Sequence, residues 1–114
     1  LIEGASVGKG LGIQFLKHVE RTGILIHLVS AEREEPISAY KEVRREIINF
    51  GSGLAEKEEI LVLSKTDRVS VGEAHARALE LTQETGKEVI ELSAHDPQSL
   101  KRFSDRLARR LLAN

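Results

Sequence analysis

The chain has 114 residues, of which 40% are hydrophobic, with 17 Lys and Arg against 18 Asp and Glu. This size and mixture are typical of one folded unit and argue against a disordered chain. The absence of cysteine excludes disulfides, Cys-ligated zinc and a Cys nucleophile. A net charge of −1 gives no general attraction to nucleic acid, and no apolar run approaches the roughly 20 residues of a membrane span.

The first half of the chain predicts a helix, a strand and a second helix. Apolar residues recur every four positions over residues 10–22, which is typical of an amphipathic helix. A continuous apolar run over residues 24–29 predicts a strand buried on both faces, within which we expect His27 to be a hydrogen-bonded core residue. Apolar residues spaced at three and four predict a helix over residues 37–50, with glycines after it as a stop.

The middle of the chain predicts a second strand and a third helix. Another continuous apolar run indicates a strand over residues 60–63 that is buried on both faces. A solvated acidic turn is expected just before it, formed by Glu56, Glu58 and Glu59. Ser70 and Glu73 form a capping-box pattern, in which each side chain binds a backbone N–H, and Gly86 ends the helix that follows.

The last part of the chain predicts a third strand, over residues 89–92, and a fourth helix. Asp96 is placed to cap this helix, with Pro97 as its first residue. A buried stripe is expected along it, formed by Leu100, Phe103, Leu107 and Leu111. Residues 98–114 hold five basic residues and one acidic residue. We interpret these as a solvated helix face, with a docking surface as the alternative.

Strands that alternate with helices predict an α/β fold, a three-layer arrangement in which helices flank a parallel sheet. In such folds ligands bind beyond the carboxyl ends of the strands. Two polar segments follow the second and third predicted strands. The first consists of Ser64, Lys65, Thr66 and Asp67, and the second of Ser93, Ala94 and His95.

These two segments have the chemistry to recognise guanine. A carboxylate such as Asp67 accepts two hydrogen bonds, and guanine presents two adjacent donors, its ring N1–H and its exocyclic amine. Adenine lacks that pair, so such a site discriminates by roughly 10⁴ or more. Lys65 can lay its aliphatic stem along the purine while its ammonium tethers a neighbouring loop. The Ser93-Ala94 turn can offer backbone N–H groups to the guanine carbonyl.

Together, SKTD and the following SAH resemble the base-recognition pair of Ras-like, translation-factor-type GTPases, which read (N/T)KxD and SAx. The resemblance implies that all seven residues contribute to binding GTP or GDP. Ser64 stands where Asn is usual, and that Asn bonds both the base and the phosphate-binding loop. The shorter Ser64 hydroxyl can do one or neither, which affects affinity more than base choice because Lys65 and Asp67 are kept.

The opening segment resembles switch II of the Obg-type GTPases, which read LIEGA, then GLG, FL, H and ERT before an apolar strand. Here residues 1–12 read LIEGASVGKGLG, followed by the FL, H and ERT elements within residues 14–22. The resemblance implies that residues 1–22 are switch II and residues 24–114 the guanine-recognition part of a Ras-like G domain, with three of its roughly six strands. Because the chain opens on Leu1 and lacks Met, we expect it to be the C-terminal portion of that domain.

Residues 4–10 are similar to a phosphate-binding loop but do not match one. The P-loop needs four residues between its glycines and a hydroxyl after its Lys, whereas here three intervene and Gly10 follows Lys9. We therefore assign no phosphate cradle, catalytic residue or Mg²⁺ ligand, and expect this segment alone to be inactive. The four histidines show no spacing typical of metal ligands.

The resemblance implies that the intact protein binds GTP and Mg²⁺, acts as a cytoplasmic switch in assembly of the large ribosomal subunit, and contacts that subunit. Leu1 takes the place of the Gln that orients water in many GTPases, which implies slow hydrolysis. The segment itself shows no direct signal for nucleic-acid binding. The alternative is a non-catalytic α/β interaction module that has lost nucleotide binding, which Ser64 and the missing phosphate loop favour.

Overall fold

The computed structural model describes residues 23–113 with the exception of Ser52. The switch II segment and the helix predicted over residues 10–22 lie outside the described residues. Three parallel strands form one sheet in the order β1-β2-β3. The strands are β1 (Ile24–Ser30), β2 (Glu58–Ser64) and β3 (Val89–Glu91).

Three helices flank this sheet, and they alternate with the strands as predicted. They are α1 (Pro36–Phe50), α2 (Val71–Thr85) and α3 (Pro97–Ala113). The described part of the chain is therefore an α/β fold with a parallel sheet and flanking helices, which confirms the fold class. Within these residues, no helix is both long and apolar enough to cross a membrane.

The helix ends follow the local sequence signals. Ser70 caps α2 by accepting a hydrogen bond from the Glu73 backbone N–H at 3.1 Å, and its hydroxyl also donates to the Glu73 carboxylate at 3.3 Å. Gly86 ends this helix in the left-handed region with φ of 71°, a conformation that costs glycine little. Asp96 caps α3 by accepting from the Gln98 N–H at 3.1 Å.

Helices α1 and α2 cover one face of the sheet and form the core with it. Leu61 and Leu63 of β2 pack there with Val29 of β1 and Leu81 of α2, while Ile47 of α1 packs in an adjoining cluster. Every residue of β2 from 59 to 63 is buried. This confirms the interpretation of the second apolar run as a strand buried on both faces.

Burial on both faces is wrong for β1 in the described part of the chain. Its buried side chains alternate, with Leu25, His27 and Val29 facing the core. Leu28, on the opposite face, is 45% exposed. The apolar run therefore predicted the strand correctly but not the extent of its burial, because the described elements leave this second face of β1 open at Leu28.

Helix α3 lies on the other face and is held by polar contacts. Arg106 pairs with Glu88 and Arg110 pairs with Glu58. The expected buried stripe is wrong at Leu100, which is 41% exposed. Phe103 and Leu107 are half-buried in the same helix. A cavity of about 810 Å³ separates α3 from the amino ends of β2 and β3, so the helix does not close onto the sheet.

Candidate functional site

The loops after β2 and β3 meet at the carboxyl-end edge of the sheet. The Leu92 N–H donates to the Leu63 carbonyl at 2.8 Å, and the Thr66 N–H donates to the Leu92 carbonyl at 3.2 Å. These bonds extend the pairing of the two strands past their ends. The two polar segments are therefore neighbours, as parallel strands require.

A shallow cavity of about 240 Å³ lies between these loops. Five of the seven candidate residues line it: Ser64, Lys65, Asp67, Ala94 and His95. Arg68 and Leu92, which sequence reasoning did not single out, complete the lining. Thr66 and Ser93 are not part of this lining. The Thr66 backbone N–H bonds to Leu92, and the Ser93 hydroxyl bonds to Asp67.

Asp67 is the exposed carboxylate of this cavity. The Ser93 hydroxyl donates a hydrogen bond to Asp67 Oδ1 at 2.9 Å and accepts one from the His95 N–H at 3.2 Å. This bond from Ser93 is the main reason why the pKa of the Asp67 carboxyl lies below its usual value. The carboxylate is thus ionised at neutral pH, and its remaining lone pairs can accept hydrogen bonds from a ligand.

Ser93 is itself held by Ser99, a buried residue in the first turn of α3. The Ser93 N–H donates to Ser99 Oγ at 3.0 Å, and that hydroxyl lies 2.8 Å from the Ser93 carbonyl, to which it donates. Sequence reasoning missed Ser99, because a serine one turn into a helix resembles any surface serine. The turn at residues 93–95 is fixed to α3 through this residue.

Lys65 has an unusual backbone conformation at the end of β2. Its φ of 57° and ψ of 37° lie in the left-handed region, which only a few per cent of non-glycine residues adopt. Such strain tends to cluster at functional sites. The side chain is largely exposed, and its ammonium lies 3.7 Å from Glu32 Oε1 in the loop after β1. Lys65 therefore links the candidate site to that loop.

Ser64 points its hydroxyl toward the neighbouring strand. Its Oγ donates to the Val29 carbonyl at 3.4 Å, while its own carbonyl accepts from the Ala31 N–H at 2.8 Å. Ser64 thus ties the ends of β1 and β2 together while it also lines the cavity.

A second polar cluster lies at the opposite, amino-end edge of the sheet, centred on Glu59. The expectation of a solvated acidic turn is wrong for this residue, whose side chain is fully buried. It accepts hydrogen bonds from Tyr40 at 3.0 Å, Arg44 at 3.2 Å and Lys87 at 2.8 Å, and lies 3.2 Å from His27 Nδ1. The prediction of a hydrogen-bonded core histidine is confirmed.

The partners of Glu59 lower its pKa by more than burial raises it. Burial by itself raises the pKa, but hydrogen bonds from His27 and Lys87 and the nearby positive charge lower the pKa of Glu59 to about 2. Burial and the adjacent Glu59 charge raise the pKa of Tyr40 to about 12. With its hydrogen-bonding capacity taken up by neighbours, Glu59 is a structural group. Within residues 23–113 apart from Ser52, no cluster of His, Asp or Glu could hold a metal ion.

The fold and the meeting of these two loops define an α/β protein with a candidate nucleotide site at the carboxyl ends of its strands. Over 107 residues, 94% of its length, the chain is 43% identical to GTPase Obg of Zymomonas mobilis. It is 43% identical to GTPase Obg of a Synechococcus species over 100 residues, and 39% identical to that of Thermosipho africanus over 111 residues. The chain is a homologue of a segment of the Obg-type GTPases.

The extent of the match is consistent with the C-terminal portion that the motifs predict. The chain spans 31%, 29% and 26% of the lengths of these three relatives, although 88% to 95% of its own residues are aligned. No protein-family model matches the chain.

Proposed function

We propose that this chain forms the guanine-recognition part of an Obg-like GTP-binding protein. The observation that carries the proposal is the ionised Asp67 carboxylate, which the Ser93 hydroxyl orients at 2.9 Å beside an open cavity. In this role the two oxygens of Asp67 accept the N1–H and the 2-amino group of guanine. Adenine would place a ring acceptor against the carboxylate and leave it unpaired, which is strongly unfavourable.

The other residues of the cavity position the base. The aliphatic stem of Lys65 packs along one face of the purine, with its ammonium kept toward Glu32. In this role the backbone N–H of Ala94, which lines the cavity, donates to the guanine carbonyl oxygen. Because Ser93 is fixed by Ser99 before any ligand arrives, the turn needs little rearrangement when the base binds.

The phosphates and Mg²⁺ of the nucleotide are then held by other parts of the complete protein. Residues 1–22 act as switch II, and Leu1 in place of a water-orienting Gln makes hydrolysis slow. The complete protein works in the cytoplasm as a switch during assembly of the large ribosomal subunit. The resemblance of the opening segment supports these finer roles, and the relatives named GTPase Obg support GTP binding.

Binding calorimetry on the complete protein tests the proposed function. GTP and ATP should be titrated separately with Mg²⁺ present, because the two nucleotides share the phosphates and differ in the base. We expect a preference for GTP on the order of 10⁴. Equal binding of the two would contradict base recognition by Asp67.

The alternative is a non-catalytic α/β interaction module, and the hydroxyl of Ser64 favours it by donating to Val29 within the protein. A complete protein that binds neither GTP nor GDP would support this alternative.

A further inference from the structure

The cavity between α3 and the amino ends of β2 and β3, here called the α3 cavity, lies far from the candidate base site. Its volume of about 810 Å³ exceeds the 240 Å³ of the base site and lies within the range of small-molecule sites, roughly 300 to 1,000 Å³. Strand β2 has seven residues and so separates the two cavities by about 20 Å. A ligand in the α3 cavity would therefore leave the base site open.

The lining of the α3 cavity carries a net positive charge. Five basic and three acidic side chains contribute to it, and each of the three carboxylates has a cationic partner within the protein. The pairs are Glu58–Arg110, Glu59–Lys87 and Glu88–Arg106. Because the carboxylates are already neutralised by these partners, the charge that a ligand meets is positive.

Arg109 is a cation of this lining for which the protein supplies no partner. It lies three residues after Arg106 on α3, and its side chain is exposed. Among residues 23–113 apart from Ser52, none forms a hydrogen bond or ion pair with Arg109. A guanidinium presents a planar fork of N–H donors that matches the oxygens of a phosphate group. Arg109 is therefore placed to bind an anion in the α3 cavity.

Two aliphatic side chains give the same cavity an apolar part. Ile60, which is buried in β2, and Ile90, which is half-buried in β3, both line it. No aromatic side chain of the described residues does so, which leaves no stacking surface for a nucleotide base. The lining thus fits a ligand with an aliphatic body and an anionic head, since each part finds a matching surface.

We propose that the α3 cavity is a second ligand site, which binds a small aliphatic phosphate ester through Arg109. A phosphate head fits better than a carboxylate, because its larger charge gains more from a positively charged lining. This site is separate from the candidate base site, so the inference does not depend on guanine recognition.

Calorimetric titration of the complete protein with hexyl phosphate tests this site. GDP and Mg²⁺ are kept in excess, so that phosphate probes do not enter the nucleotide site. Inorganic phosphate and 1-hexanol are the reference probes, because each has one of the two features of the ligand. We expect hexyl phosphate to bind about tenfold more tightly than either, since the alkyl chain and the charged head each contribute about that factor.

Equal affinity for hexyl phosphate and inorganic phosphate would overturn the aliphatic part of the proposal. No binding of hexyl phosphate would overturn the site as a whole, as would be the case if another part of the complete protein fills the cavity. A protein that binds GDP but not hexyl phosphate contradicts this inference alone, whereas a protein that binds hexyl phosphate but no guanine nucleotide contradicts the proposed function alone.

Two arginine variants separate a specific site from general attraction to a basic helix. Arg109→Gln should weaken the binding of hexyl phosphate about tenfold, because a charge-assisted hydrogen bond is lost. Arg102→Gln is the matched control, because Arg102 is exposed on the same helix but lines a neighbouring cavity and not the α3 cavity. The control should keep its affinity for hexyl phosphate, and GDP affinity should stay unchanged in both variants. Equal losses of hexyl phosphate binding in the two variants would overturn the assignment of Arg109.

Discussion

Two carboxylates at opposite ends of β2 differ in what their surroundings allow. Glu59, at the amino end, is buried and has His27, Tyr40, Arg44 and Lys87 as partners. Asp67, beyond the carboxyl end, is exposed and accepts a bond from Ser93. Both have a pKa below the usual value. A low pKa therefore shows that the negative charge of a carboxylate is stabilised. Whether that carboxylate can also bind a ligand depends on how many of its lone pairs are still free to accept hydrogen bonds.

The amino end of β2 contributes to folding stability through Glu59, and the residues beyond its carboxyl end form the candidate binding site. Taking Glu59 out of water is costly, and its partners offset that cost by surrounding both oxygens. Asp67 remains in water and is oriented by one hydroxyl, so it contributes little to folding. We expect substitutions at the two positions to affect different measurements, and the following predictions run from the largest expected effect to the smallest.

Asp67→Asn in the complete protein should reduce the affinity for GTP by a factor on the order of 10⁴, because the Asn amide places a donor against a guanine donor. The same amide should favour xanthine nucleotides, whose 2-carbonyl accepts a hydrogen bond. Affinities for GTP and XTP measure the change. Asp96→Asn is the matched control, since Asn caps a helix as well as Asp does. Unchanged GTP affinity in Asp67→Asn would refute the assigned role.

Glu59→Gln should lower the free energy of unfolding by about 3 kcal/mol, because it leaves the buried partners without their charge. The neighbouring Glu58, which pairs with Arg110 and is half-buried, provides the control. Glu58→Gln should cost about 1 kcal/mol or less. Urea denaturation gives both values, and nucleotide affinity should change little in either variant. Equal decreases in the free energy of unfolding for the two variants would show that the buried charge of Glu59 stabilises the fold no more than an exposed ion pair does.

Acid should weaken the amino-end cluster over a defined range of pH. The pKa of Glu59 is lowered from 4.5 to about 2 on folding, so its stabilising contribution is present above pH 4.5 and is lost as the pH falls toward 2. The urea midpoint should therefore decrease more steeply with acid in the unmodified protein than in Glu59→Gln. Parallel pH profiles for the two proteins would contradict the assignment.

Ser99→Ala should lower the free energy of unfolding by about 1 to 2 kcal/mol, because it leaves the buried N–H of Ser93 without its partner. GTP affinity should fall severalfold as the turn at residues 93–95 loses its support. Ser104→Ala, an exposed position on the same helix, is expected to change neither quantity. If Ser99→Ala lost stability but kept full GTP affinity, the support of Ser93 would be irrelevant to binding.

The smallest effect is expected at Lys65, where φ is 57°. Lys65→Gly should be more stable than Lys65→Ala by about 1 kcal/mol or less, because glycine adopts this conformation without a steric penalty. Both variants lose the ammonium near Glu32 and the aliphatic stem for which we propose packing on the base, so their GTP affinities should fall equally. Thermal melting compares the pair, and a more stable alanine variant would argue against backbone strain at this position.

The elements that the sequence predicts are those set by local rules. The buried run of β2, the cap at Ser70 and the stop at Gly86 each depend on residues a few positions apart, so one stretch of sequence contains the whole signal. The location of the candidate site could also be predicted, because its two segments follow neighbouring strands and parallel topology brings them together.

The sequence could not predict features that depend on distant partners. Glu59 precedes an apolar run just as a surface glutamate would, and its partners His27 and Lys87 lie 32 and 28 residues away. The spacing of Leu100 and its neighbours correctly indicated a helix, but periodicity does not specify how closely that helix approaches the sheet. Ser99 gave no signal, because its importance comes from contact with a turn that is already folded.

Helix α3 is attached to the rest of the molecule by bonds that respond differently to ionic strength. At its amino end Ser99 holds Ser93 through neutral hydroxyl bonds, which dissolved salt does not screen. Toward its carboxyl end Arg106 and Arg110 form ion pairs, which salt weakens. An increase in ionic strength should therefore weaken the attachment of α3 near its carboxyl end and leave the attachment that supports the candidate base pocket unchanged.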